Sequence, residues 1–185
     1  MSKPVHILGF SGSLRKGSYN TSLLRAAAEL LPDGMTLEVF DLAPLPLYND
    51  DLRAAGYPAP VQAFRERVAA ADALLIVTPE YNYSIPAVLK NALDWASRPP
   101  EAPLTGKPVG LMGASTGNFG TVRAQLHLRQ VCVFTNMHPL NKPEVLVARA
   151  LEKFDAAGRL TDEPTRGFVR DLLVALAAWT RQLAV

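Results

Sequence analysis

Glu80, Tyr81, Asn82 and Tyr83 stand between Pro79 and Pro86, directly after the apolar run Leu74-Leu75-Ile76-Val77. Four consecutive branched apolar residues suit a strand buried on both faces of a parallel sheet, and the run is too short for a helix. Pro79 has no N–H to give a ladder, and Pro86 presets the dihedral for the start of a following helix. A polar and aromatic loop leaving the carboxyl end of such a strand lies where open parallel sheets bind ligands, and it reads as a binding loop. An ordinary strand-to-helix connection is the other reading.

A second group of chemistry-bearing residues is Ser11-Gly12-Ser13-Leu14-Arg15-Lys16-Gly17-Ser18-Tyr19-Asn20. It follows the strand-like Val5 to Phe10 and precedes a helical pattern of Leu23, Leu24, Ala27, Leu30 and Leu31. Such a loop gathers backbone N–H groups and hydroxyls above a helix amino terminus, where the macrodipole favours an anion such as phosphate. Arg15 adds a planar charged fork. Ser, Gly and Asn would equally cap that helix with nothing bound. Gly12 to Ser18 spells Gly-x-x-x-x-Gly-Ser, but Lys16 precedes the second glycine, so this is not a nucleoside-triphosphate loop. The dinucleotide pattern Gly-x-Gly-x-x-Gly is missing too, which leaves Asp41 as a turn or interface residue although it ends the second strand. A third loop, Ser115-Thr116-Gly117-Asn118-Phe119-Gly120-Thr121, repeats the grammar, with Ser115 at a strand end and two glycines that let backbone approach a flat ligand.

The elements that would hold these loops alternate along the chain. Met35 to Phe40 reads as a second strand, and Asp41 to Pro60, with four prolines, as a long crossing loop without regular structure. Loops of more than about 12 residues usually work, so Leu45 to Asp51 is a candidate lid or subunit contact. Val61, Phe64 and Val68 give a helix, Ala73 opens the central strand, and Val88, Leu89, Ala92, Leu93 and Ala96 give another helix. Pro108 to Ala114 is a fourth strand. Val131 to Asn136 reads as the start of a fifth strand region, resumed at Glu144 to Val147. A last helix from Thr165 would bury Phe168, Leu172, Leu176, Trp179 and Leu183. Residues 1–185 thus form a single α/β domain, a doubly wound five-stranded parallel sheet in the flavodoxin-like order 2-1-3-4-5 with helices on both faces. That order sets the loops after strands one, three and four side by side.

The 185 residues are 49% hydrophobic and 19% charged, which describes a globular chain that folds without staples. The net charge is +2 with scattered basic residues, which argues against nucleic acid. Cys132 cannot pair internally and reads as core filler. No Cys-x-x-Cys or histidine cluster suggests a metal, and His6, His127 and His138 read as structural. A reducing cytoplasm is expected, with no signal peptide and no membrane span of about 20 apolar residues.

The stretches Gly12 to Asn20 and Thr78 to Pro86, with Lys90-Asn91-Ala92-Leu93-Asp94-Trp95, resemble the NADPH-dependent FMN reductase family, in particular its quinone and chromate reductase branch. The resemblance implies FMN as cofactor and NADPH or NADH as co-substrate. It implies a flavin phosphate held by Ser13, Arg15, Ser18 and Asn20, and a ring lying along Pro79, Glu80, Tyr81, Asn82 and Tyr83 with Ser115 nearby. Hydride would pass to the flavin N5 and then to a quinone, chromate, an azo compound or free flavin in a ping-pong cycle, with no protein acid or nucleophile required. It also implies a homodimer or homotetramer, with Tyr48 and Asn49 near the subunit interface. The competing expectation is a flavodoxin-type electron carrier or a flavin-bound redox sensor that does not turn over NAD(P)H.

Overall fold

The computed structural model describes residues 3–184. In chain order the elements are β1 (Val5–Ser11), α1 (Tyr19–Glu29), β2 (Met35–Phe40), α2 (Asp50–Ala54), α3 (Ala59–Ala70), β3 (Ala73–Val77), α4 (Ala87–Ala96), β4 (Pro108–Ala114), α5 (Val122–Thr135), β5 (His138–Pro139), β6 (Val145–Val147) and α6 (Glu163–Leu183). All sheet pairings are parallel, and the strand order is β2-β1-β3-β4-β5, with β6 also paired to β4. This is the expected flavodoxin-like sheet with one refinement. Its fifth position is shared by two short strands, β5 beside Pro108 and Val109 and β6 beside Met112 to Ala114.

β3 is buried along its whole length, as its unbroken apolar run requires. Alternate residues feed opposite faces: Ile7, Leu75 and Val77 pack with Leu23 of α1 and Leu172 of α6, while Leu8, Leu74 and Ile76 pack with Phe64 of α3, Leu89 of α4 and Leu128 of α5. Each such fully buried side chain contributes about 1.5–3 kcal/mol over its exposed state. The two cores fix the sheet and so gather the loops at the carboxyl ends of its strands.

Three expectations are corrected. Val131 to Thr135 is not strand but the last turns of α5, because Ala124, Leu128 and Cys132 recur every four residues and are buried, while Val133 and Phe134 face solvent. The crossing loop is not wholly irregular: Asn49 accepts the Asp51 N–H at 2.8 Å and starts the short α2. On α6 the inward face is Val169, Leu172, Leu173, Leu176 and Ala177, and Phe168 and Leu183 are exposed, so the stripe departs from the expected one at both ends. Asp41 is the turn residue expected, accepting the Ala43 N–H at 2.9 Å.

Candidate functional site

The loop after β3 is a tight hairpin. Tyr81 and Ser84 exchange backbone hydrogen bonds of 3.0 and 2.9 Å, and the two residues between them, Asn82 and Tyr83, have φ of 50° and 66°. Positive φ at both central positions is the geometry that fits the twist of a two-residue hairpin, and it is strained for a tyrosine. Tyr83 is held there by Arg123, whose guanidinium lies 3.7 Å from the Tyr83 ring centroid and 4.7 Å from that of Phe119. Arg123 is in turn fixed by Glu80, which accepts its Nε at 2.6 Å and the backbone N–H groups of Arg123 and Ala124 at 3.0 and 3.2 Å. The Glu80 carboxylate thus caps the start of α5 and leaves only its backbone to face a ligand.

On the loop after β1, Ser18 caps α1, its hydroxyl oxygen accepting the N–H groups of Asn20 and Thr21 at 3.2 and 3.3 Å. Asn20 is buried and bonded both ways to the Ala114 backbone, at 2.9 and 2.8 Å, which ties the start of α1 to the end of β4. Ser115 is anchored by its own N–H on the Val147 carbonyl at 2.9 Å. Gly120, at φ 54°, has no room for a Cβ, which would meet the Leu146 carbonyl carbon at 2.5 Å, so this glycine serves packing rather than a flat ligand.

One cleft of about 180 Å³ collects Ser13, Arg15, Ser18, Asn20, Pro79, Glu80, Tyr81 and Ser115. Asn82 and Tyr83 lie beyond its lining, on the exposed hairpin tip. The cleft is smaller than the ~300 Å³ of ordinary ligand pockets, so a cofactor held here would lie partly outside it. The donors fit a planar group carrying a phosphate. Arg15 makes no ion pair among the described residues, and the first turn of α1 holds no acid to repel an anion. The backbone N–H groups of Glu80, Asn82 and Tyr83 have no acceptor among the described residues. Among those residues no cluster suited to a metal occurs.

Residues 5–152 match the family described as NADPH-dependent FMN reductase. The chain belongs to that family. It is 56% identical over 183 residues to an NAD(P)H-dependent FMN reductase of Pseudomonas aeruginosa, covering 99% of each chain. It is 39% identical to a quinone reductase of Escherichia coli K12, covering all of both chains. The solved structure of FerB, a flavoenzyme NAD(P)H:(acceptor) oxidoreductase from Paracoccus denitrificans, superposes with a TM-score of 0.88 at 34% identity, over 96% of this chain and 98% of that one.

In this FMN reductase family member the sequence reading missed Arg123. The one signal for it was its position just past the third loop, at the start of a helix. His127, read as structural, stands exposed on α5 with its Nδ1 3.0 Å from the Ser84 hydroxyl of the hairpin. The crossing loop is not free to act as a lid. The Pro46 carbonyl accepts from Asn91 at 2.9 Å and Trp95 at 2.8 Å, and the Tyr48 N–H donates to Asn91 at 2.7 Å. A larger cavity of about 430 Å³ lies at the opposite, amino ends of the strands, where the Lys107 ammonium donates to the Ala69 and Ala71 carbonyls at the end of α3. Burial lowers the Lys107 pKa, and its bonds to the two carbonyls make Lys107 a cap on the end of a helix.

Proposed function

We propose that the protein is an NAD(P)H-dependent FMN oxidoreductase that reduces quinones, with the FMN phosphate at Ser13, Arg15, Ser18 and Asn20 and the ring along Pro79 to Tyr83 beside Ser115. FMN held by these residues would supply the hydride chemistry that links NAD(P)H to the quinone, with a proton from solvent completing the hydroquinone. The observation that carries the reading is that Glu80 and Tyr81, at the base of the strained hairpin, line the same cleft as Arg15, which has no ion-pair partner among the described residues. The work divides among the residues. Arg15 and the Ser13 hydroxyl meet the phosphate, while Ser18 and Asn20 hold the loop that presents them. Hairpin amides donate to the polar edge of the ring, and the Glu80–Arg123 pair fixes the hairpin that carries them. The exposed Tyr81 and Tyr83 rings leave the outer side open to flat substrates.

The same reading makes the protein a homodimer or homotetramer in a reducing cytoplasm. Tyr48 and Asn49 approach the partner on a pinned loop whose Leu47 is 78% exposed. Light scattering tests the assembly: a single-chain mass would contradict it. Steady-state kinetics test the activity. NADPH and benzoquinone varied together should give parallel double-reciprocal lines, and no NADPH oxidation by the FMN-loaded protein would refute it. Arg15→Ala should weaken FMN binding about tenfold or more with the circular dichroism unchanged, since a charge-assisted bond to phosphate is lost.

A further inference from the structure

A further cavity, of about 320 Å³, opens on the other side of the loop after β1. Ser13 and Arg15 line both it and the flavin cleft, so the two meet around that loop. Lys16 lines this cavity alone, and Asp41, at the end of β2, stands on its far wall. The sheet order explains the geometry. β1 lies between β2 and β3, so a long ligand with one end on the β3 hairpin crosses the β1 loop and arrives at the end of β2.

The chemistry of the walls is that of a phosphorylated nucleoside. With Arg15 given to the FMN phosphate, Lys16 is an exposed cation of this cavity without a carboxylate partner among the described residues. Leu14 and Val39 are 57% and 55% exposed and offer apolar surface to a base. The Asp41 Oδ1 accepts the Ala43 N–H, and its other oxygen is left for a ribose hydroxyl. The volume falls within the range of small-ligand pockets. We propose that this cavity takes the adenosine end of the pyridine nucleotide, with Lys16 drawing the 2′-phosphate of NADPH and Asp41 repelling it, so that the two residues together set the choice between NADPH and NADH. The proposal rests on the NAD(P)H oxidoreductase reading above.

The test uses the FMN-loaded protein and two readouts. By calorimetry, adenosine 2′,5′-bisphosphate should bind more tightly than adenosine 5′-diphosphate. Lys16→Gln should weaken the bisphosphate about fivefold, the scale of one exposed charge pair, and Asp41→Asn should tighten it. In turnover, the ratio of kcat/KM for NADPH to that for NADH should fall about fivefold in Lys16→Gln, through KM, and rise in Asp41→Asn. Equal binding of the two nucleotides overturns the proposal. So does inorganic phosphate that displaces the bisphosphate at equal concentration, or a ratio that neither variant moves. Bisphosphate bound as expected by a protein that oxidises no NADPH would sustain the cavity and refute the oxidoreductase. Normal turnover with an unmoved ratio would do the reverse.

Discussion

Tyr83 occupies a left-handed conformation that costs a non-glycine residue about 1–3 kcal/mol, and its stack on Arg123 offsets about 0.5–1 kcal/mol of that. Tyr83→Ala keeps the backbone cost and loses the stack. Stability should therefore fall by about 1 kcal/mol in urea melts, while the KM for quinone shifts more than the melt does. A collapsed apoprotein would show that Tyr83 is core. Glu80→Ala is the harsher change. It leaves Arg123 and two helix-start amides without their carboxylate, and the loss is about 1.5–3 kcal/mol in the same melts. Cys132 is the quiet residue: burial pushes its thiol up to about 11. It should resist iodoacetamide at neutral pH until the chain is unfolded. The sign of its pH dependence follows. The unfolded thiol ionises first, near pH 8.5–9, so its contribution is complete below that and is lost as the pH climbs toward 11.

At the scale of elements, α6 begins on Asp162, which caps the Thr165 N–H at 3.0 Å. The Thr165 hydroxyl and then the Lys153 ammonium hold its carboxyl below the usual range. A depressed carboxylate pKa contributes stability above the unfolded value near 3.9, and that contribution is lost as pH falls through the folded value. Asp162→Ala should cost about 0.5–2 kcal/mol at pH 7 and flatten part of the acid limb of the stability profile. The strands were legible in the sequence because buried parallel strands leave unbroken apolar runs, as Leu74 to Val77 does. The end of α5 was not. Val131 to Phe134 has the residue types of a strand, and only the four-residue recurrence that starts back at Ala124 shows a helix. Packing of Leu128 and Cys132 on the sheet overrides that local preference. The fifth sheet position was half legible, since His138 and Pro139 are too short a strand to leave a pattern.

Across the whole molecule, the three loops singled out from sequence meet at the carboxyl ends of the strands because the order β2-β1-β3-β4 sets their strands adjacent. Position along the chain predicted that meeting. It did not predict which side chains would be spent on the frame. Asn20 and Glu80 looked like ligand groups, and their partners, the Ala114 backbone and Arg123, lie far away in sequence. The cavity beside the β1 loop was hidden for the same reason, since it joins residues of that loop to the end of β2. A catalyst is separated from a carrier or a sensor by its response to pyridine nucleotide. The most direct test is an anaerobic spectral titration of the FMN-loaded protein, first with NADPH and then with benzoquinone. The flavin absorbance should bleach with NADPH and return in full with one equivalent of quinone. Flavin that binds but ignores NADPH would contradict the oxidoreductase reading.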